Sequence, residues 1–478
     1  MFGLFKNKKS TDVEVHKAKK RSFSAGTINR LTADWSTDSS TPNSDVYADL
    51  NKLRSRSRGL VQNNGYAKKY IGLVTANVVG KNGIQLQAMS KDANDKYDTM
   101  ANDQIEAAWM KWSKQCDVTG TMSWVDFQTQ AIGATAQDGE VIIRMVKSYD
   151  NDFGFALQMI EADQLDVNLN DERRNIVMGI ELNAFGRPVA YHITKGHPSS
   201  NMYRSEHVRI PAEEIIHLYR PLRVGQVRGV PWMHSSMSAL NMLDRYEEAE
   251  LTAARVAAGK MGFYKTPTGN EYSTGITEDN DVIMEVEPGT FEEMPAGWEF
   301  QTFDPTHPTS AYEAFTKNVL RSVASGLGVS YESLSNNRSD VNYSSIRQGA
   351  LEERDNWRVL QTWLSERLSD RVYKEWLPLA MLTGELNLPL SKTAKFEDVT
   401  WIGRGFQWID PSKDAQANIL LAKEGLKSHK EIVGEQGKNI ADVYAQIAKE
   451  KDAREKLGIV TSSDAGILET LQGVENEN

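Results

Sequence analysis

The chain has 478 residues, 40% of them hydrophobic and 25% charged, with a formal net charge of −10. That balance is expected of a soluble globular protein long enough for more than one core-bearing unit. It offers no membrane-helix candidate, since no stretch approaches about 20 apolar residues, and no internal disulfide, since Cys116 is the one cysteine. A single thiol suits a reducing cytoplasm, and the N-terminal MFGLFKNKK has too short an apolar core for a signal peptide. Residues 1–30 hold eight Lys/Arg and two Asp/Glu, so they carry +6 and leave −16 on the rest. Phosphate contacts need cations, so an acidic body fits either an ordinary enzyme or a wall past which DNA slides without sticking.

Residues 1–45 read as a disordered basic arm, with Lys17-Ala-Lys-Lys-Arg21 followed by Ser, Thr and Asn and little periodic apolar content. Residues 46–79 show a helical pattern that Gly59 and Gly65 should break. A strand over 84–89 follows, then helices over 100–115 and 123–137, the second capped by Ser123. A β-rich stretch comes next: 141–146, 155–160, 177–182 and 188–194, the last two flanking a hairpin turn at Asn183-Ala-Phe-Gly-Arg187, then 208–210 and 215–219. Pro231 is placed to open a helix reaching Ala258. Gly and Pro punctuate residues 260–308, with a short strand over 282–286. A helix over 312–325 precedes the polar loop 335–342. The longest helix covers about 344–377, roughly 50 Å. Leu360, Leu364, Leu368, Val372 and Trp376 form one stripe, Trp357, Trp363 and Tyr373 add aromatic bulk, and Pro378 is the expected stop. Such a helix is either the core of a large domain or an element crossing the whole subunit. Residues 411–457 read as two or three short amphipathic helices.

Catalytic chemistry is hard to place. The eight histidines are scattered, with no pair at zinc spacing, and one cysteine cannot make a multi-thiolate site. There is no P-loop: the nearest fragment, Gly434-Glu-Gln-Gly-Lys-Asn439, lacks both the spacing and the Ser/Thr. No GxSxG elbow appears. Glu161, Asp163 and Asp166, with Asp171 and Glu172 nearby, admit two readings: carboxylates of a strand-ending turn, or a two-metal nuclease site. Glu247, Glu248 and Glu250 read as a solvated helix face, or as a helix lining a channel.

Ordered blocks carry a resemblance. They run Arg56-Ser-Arg-Gly-Leu-Val-Gln-Asn-Asn-Gly-Tyr-Ala67, Asn77-Val-Val-Gly80, Ile160-Glu-Ala-Asp-Gln-Leu-Asp166 and Gly186-Arg-Pro-Val-Ala-Tyr-His-Ile193. Pro211-Ala-Glu-Glu-Ile-Ile-His-Leu218, Gly225-Gln-Val-Arg-Gly-Val-Pro-Trp232 and Glu287-Pro-Gly-Thr290 continue the series. Gly326-Leu-Gly-Val-Ser-Tyr-Glu-Ser-Leu-Ser335, Val341-Asn-Tyr-Ser-Ser-Ile-Arg347 and Gly403-Arg-Gly-Phe-Gln-Trp-Ile-Asp-Pro411 complete it. In this order, over about residues 50–430, the chain resembles the lambda-type portal family of tailed bacteriophages.

The resemblance implies an α+β portal fold, mainly helical, with a β-rich part in the wing and clip. By element order it implies a first wing part at 46–230, a stem helix at 231–259, a clip at 260–308 and a second stem helix at 309–330. A tunnel loop at 331–343, the wing's long helix and return at 344–410 and a crown at 411–478 follow. It implies a non-enzymatic dodecameric ring without cofactor or metal, resident in the virion at one capsid vertex and assembled in the host cytoplasm. Its implied partners are duplex DNA in the channel, the large terminase subunit, head-completion or adaptor proteins, and major capsid and scaffold proteins, with no membrane. Read from residues alone, 335–342 is a solvated connection between helices. Under the resemblance, Asn336, Asn337, Arg338, Ser339, Asp340 and Asn342 face the DNA channel, with Arg338 as the phosphate contact.

Overall fold

The computed structural model describes residues 30, 33–198, 204–258, 262–265, 299–302, 312–339, 343–407 and 410–459. The basic arm up to residue 29, the expected strand at 282–286 and residues 340–342 lie outside these.

The chain enters through α1 (Pro42–Asn63), where Thr41 Oγ1 accepts from the Ser44 amide at 3.2 Å and Pro42 sits in the first turn. Gly59 does not break this helix. The break lies at Asn64, whose extended backbone ends α1 and whose Oδ1 accepts from the amides of Tyr66 and Ala67, both at 3.0 Å, to start α2 (Gly65–Val78). Satisfying two orphan donors fixes a boundary more firmly than one interior glycine, which costs a helix only about 0.5–1 kcal/mol. After β1 (Gln85–Ala88) come α3 (Thr99–Trp112) and α4 (Trp124–Asp138). The Ser123 cap forms a complete capping box with Asp126.

Two antiparallel sheets follow. One has the order β3 (Phe155–Ile160), β2 (Glu140–Lys147), β8 (Ile215–Tyr219). The other runs β4 (Ile176–Val177), β5 (Ile180–Leu182), β6 (Pro188–Lys195), β7 (Arg204–Pro211). The strand expected over 177–182 is in fact a hairpin. Met178 and Gly179 take φ values of 47° and 83°, and Val177 pairs with Ile180 across them. A two-residue turn with both residues at positive φ matches the twist of its strands. The hairpin expected at 183–187 is present between β5 and β6.

The helix expected to open at Pro231 begins later, as α5 (Met237–Ala258). Residues 231–236 instead form tight turns, with His234 and Ser236 amides donating three residues back. The Trp232 amide donates to Ala136 O at 3.0 Å, one of the orphan carbonyls at the end of α4, which draws this backbone away from a helical path. Beyond α5, β9 (Gly262–Lys265) and β10 (Glu299–Thr302) pair antiparallel, and α6 (Tyr312–Leu327) returns alongside α5. There Tyr246 stacks on Tyr312 with ring centroids 5.8 Å apart.

A short α7 (Tyr331–Ser335) leads to α8 (Tyr343–Leu364), a π turn at Ser365–Ser369, and α9 (Asp370–Leu382). Positions four apart advance about 40° on an α-helix, so the five-residue stripe should smear over roughly 160°. The wider i→i+5 winding of the π turn takes up that drift, and all five stripe residues are buried. Pro378 does not stop the helix: it removes one donor, while Trp376, Leu377, Ala380 and Met381 are buried on either side of it. Then α10 (Thr393–Phe396) and β11 (Val399–Ile402) follow, β11 pairing antiparallel with β1. The remaining helices are α11 (Pro411–Lys423), α12 (His429–Glu435) and α13 (Ile440–Leu457), none of which buries a residue. No helix among the described residues is long and apolar enough to cross a membrane.

The larger core joins α2, α3, α4, α8 and α9 to the first sheet. At its centre Trp109 meets Trp112, Trp376 and Trp124 at centroid distances of 4.7, 5.0 and 5.7 Å. A second core lies between the two sheets and the start of α1, around Leu50, Ile142, Ile180 and Ile193. Trp376→Ala should therefore cost about 3–5 kcal/mol, read as a lowered urea midpoint. Trp363 is half-buried and its truncation should cost less; equal losses at the two positions would contradict this packing.

Candidate nucleic-acid interface

The loop singled out in the sequence is built on a fixed base. Ser330 caps α7, its Oγ accepting from the Ser333 amide at 3.1 Å. Glu353, buried on α8, accepts from the Ser330 amide at 3.2 Å and from Ser333 Oγ at 2.8 Å. One carboxylate thus clamps α7 to the long helix. Asn336 ends α7 in the left-handed conformation, φ 57°. Asn337 Oδ1 then accepts from both the amide and the hydroxyl of Ser339, at 3.0 and 2.7 Å. Arg338 is exposed and makes no ion pair among the described residues. The structure therefore brings Asn336, Asn337, Arg338 and Ser339 together as a polar tip. Asp340 and Asn342 fall outside the described residues.

The acidic cluster is arranged differently from a metal site. Glu161 and Asp163 do converge, with His197, so that one ligand atom of each lies within 4.8 Å of the others. Arg58 from α1, however, is already among these carboxylates. It pairs with Asp138 at 2.8 Å, Asp163 at 2.5 Å and Glu161 at 3.1 Å. Its pKa is raised, first by the bond to Asp138, and that of Asp163 is lowered because the arginines outweigh the effect of burial. A divalent cation would have to displace a guanidinium held by three carboxylates. Asp166 is not part of the cluster; it pairs with His207 at 3.0 Å. Residues 162–164 form a 3-10 turn at the strand end, which is the turn reading.

Beside Arg58 lies a group that the sequence reading did not single out. Glu140 is fully buried at the start of β2. Its Oε1 accepts from Arg54 Nη2 and from Arg228 Nε, the latter at 2.7 Å; its Oε2 accepts from the Gly229 amide at 2.7 Å and pairs with His217 Nε2 at 3.0 Å. The guanidiniums also bind backbone: Arg54 donates to Asp138 O, and Arg228 to Met178 O and Leu165 O, at 2.7–3.1 Å, and Arg54 pairs in addition with Asp163 at 3.6 Å. Burial alone would raise the Glu140 pKa; Arg228, Arg54 and His217 outweigh it and hold the group well below the usual carboxylate range. Burial lowers the pKa of His217 more than Glu140 raises it. The one sequence signal was Arg228 inside Gly225-Gln-Val-Arg-Gly-Val-Pro-Trp232, the only charged residue of that glycine-containing run.

Comparison with known proteins is consistent along the chain. Residues 28–361 match the family described as "Phage portal protein, lambda family". A "Probable portal protein" of Halomonas phage phiHAP-1 is 34% identical over 459 residues, covering 92% of this chain and 88% of that protein. Portal protein B of Escherichia phage lambda is 23% identical over 480 residues, covering 89% and 88%. Among solved structures, a chain from the virion of a native gene transfer agent particle is similar with a TM-score of 0.46 and 12% identity, over 82% of this chain and 96% of that one.

The buried cluster sets a pH dependence. His217 is held neutral, with a folded pKa below its unfolded value of about 6.5, so the unfolded chain binds the extra proton and stability falls as pH drops through about 6.5. Glu140, also depressed, contributes stability that is present above about pH 4.3 and lost as pH falls below it. The thermal midpoint should fall in two stages. His217→Gln should flatten the first stage only in part, because His192 is lowered by burial too. Glu140→Gln, which leaves two arginines uncompensated, should cost about 3–5 kcal/mol at pH 7; a loss below 1 kcal/mol would refute a structural role for the cluster.

Proposed function

The chain belongs to the lambda family of phage portal proteins, and from that membership we propose that it forms the DNA channel of a virus particle. Twelve copies close into a ring at one capsid vertex, and duplex DNA passes along the axis during packaging and ejection. The observation that carries this reading is the family match over residues 28–361. In it the chain is a passive wall and docking ring: the large terminase subunit supplies ATP-driven movement, and head-completion proteins later occupy the same outer end. Capsid and scaffold proteins meet the ring from the shell side.

The elements divide accordingly. Residues 46–230 form the first part of the wing. Helices α5 and α6 are the stem, supported by their side-by-side packing and by the β9–β10 pair between them in the chain. Residues 260–308 are the clip, α8 and α9 cross the wing, and residues 411–478 make the crown. Residues 331–343 hold the tunnel loop. Its tip combines one exposed arginine with small amide and hydroxyl groups on a base clamped by Glu353. Groups of that kind make weak, replaceable contacts with phosphates in any register, which suits a moving duplex.

Purified chain at assembly concentration should show rings with an axial hole in negative-stain micrographs, and monomers alone would count against the reading. Arg338→Ala should leave ring formation intact and lower the DNA packaged several-fold. A variant that blocks ring closure, while preformed rings package normally, would remove the loop from the channel. Plasmid incubated with the chain and Mg²⁺ or Mn²⁺ should remain un-nicked.

A further inference from the structure

A large groove lies away from the loop. It encloses about 950 Å³ between residues 80–85 at the end of α2, residues 403–407 after β11, and residues 436–438 before α13. Four cations line it, Lys81, Arg354, Arg404 and Lys438, and no carboxylate does. In a chain of net charge −10 that is a marked local reversal.

The charges are held there by structure. Phe406 is buried, and Arg354, Arg404 and Arg358 lie around its ring at 5.4, 5.4 and 6.0 Å from the centroid. Cation–π attraction offsets part of their mutual repulsion. Arg404 also donates to Ala76 O at the C-terminal end of α2, at 2.5 Å. Arg354 is half-buried and makes no ion pair among the described residues. Burial, then repulsion from Arg358 and Arg404, lowers its pKa. The nearby acids are already committed, Asp414 to Arg347 at 2.9 Å and Glu435 to Lys427 at 2.6 Å. Glycines make the wall possible. A Cβ on Gly405 would sit 1.9 Å from Gln436 C, and one on Gly437 2.4 Å from Gly405 N, so the two segments cross only as glycine backbone. The second segment is the Gly434-Glu-Gln-Gly-Lys-Asn439 fragment, which is no P-loop yet delivers Lys438 to this groove.

We propose that this groove is a phosphate-binding site, taking the backbone phosphates of a nucleic acid or free phosphate groups. Phosphate oxygens are pure acceptors, and guanidinium forks can grip them in pairs. Phe406, the one aromatic residue of the lining, is buried, so the groove offers no open aromatic face for a base. The ligand is therefore gripped by its phosphates, without regard to base sequence. This inference does not depend on ring formation or on the loop.

Fluorescence anisotropy of the full-length chain with a 20-base-pair duplex, from 50 to 200 mM salt, tests it. Lys81→Gln/Lys438→Gln removes two exposed cations and should leave the thermal midpoint unchanged. If the duplex backbone is the ligand, the log–log salt slope should shrink by about 2 relative to the parent. Arg354→Gln should shrink it further, while Arg338→Gln reports on the tunnel loop separately. If free phosphate is the ligand, the slope is unchanged, but inorganic phosphate raises the midpoint of the parent and not of the double variant. The proposal is overturned if neither the slope nor phosphate protection differs between parent and double variant. It is equally overturned if a poly-glutamate peptide, and not phosphate or duplex, binds the parent and loses its affinity in the variant.

Discussion

The Glu140 carboxylate is the point through which the front half of this molecule is referenced. Helix α1 supplies Arg54, the α4–β2 corner supplies Glu140, β8 supplies His217, and the turn before α5 supplies Arg228 and the Gly229 amide. The backbones must almost touch for this to work. A Cβ on Gly139 would lie 2.3 Å from Val230 C, and one on Gly229 would lie 2.1 Å from Gly139 O. A buried ion cluster is a weak source of net stability, because desolvation consumes most of the Coulombic gain. What it provides is a unique solution: any other placement of α1 against the two sheets strands a charge or a carbonyl without water. Arg58, one turn on from Arg54, extends the same logic to Asp138, Asp163 and Glu161.

From that reference the geometry is passed on by packing. Strand β2 carries the cluster at one end and contributes Val141, Ile143 and Met145 to the larger core. That core is dominated by interlocked tryptophans, and its far wall is α8 and α9. Because the π turn keeps the apolar stripe in phase over residues 360–376, one long lever, residues 343–382 and about 60 Å by helical rise, is fixed to the core through that part of its length. Glu353 sits on that lever and holds α7, so the polar tip at residues 336–339 is a mobile-looking composition on a fixed base. In the proposed ring, that combination lets a wall stay in place while its contacts with the moving strand are made and broken.

Legibility followed the range of the interactions. Strand β3 spans 155–160, as its apolar pattern indicates, and the Ser123 cap is present because the signal is complete within four residues. Pro378 misled because the rule about proline concerns one donor, whereas the outcome was set by a core assembled from distant helices. The hairpin at Met178-Gly179 was hidden by a methionine in a conformation that favours glycine. The acidic cluster is a turn with partners, but its principal partner Arg58 lies 105 residues from Asp163 in the chain. Arg54 and Arg228 are 86 and 88 residues from Glu140, on opposite sides. No local pattern announces such a meeting. The ordered family blocks did carry Arg58 and Arg228, as fragments without an assigned role.

Charge is where local and global descriptions part. A net charge of −10 describes the field well beyond the surface, but at physiological salt that field decays over about 8 Å. Inside that distance a phosphate meets only the side chains facing it. An acidic body with a cationic groove and a separate exposed arginine is thus not contradictory. In the proposed channel, the acidic body would discourage indiscriminate adsorption of a polyanion, and the cations facing it would decide where contact is made. A uniformly basic surface would bind DNA through many phosphates at once, and each added contact steepens the cost of moving on. In the proposed ring, keeping the cations that face the DNA to a few fixed places would keep the count of simultaneous contacts low, which is the condition under which a long duplex can be both touched and moved.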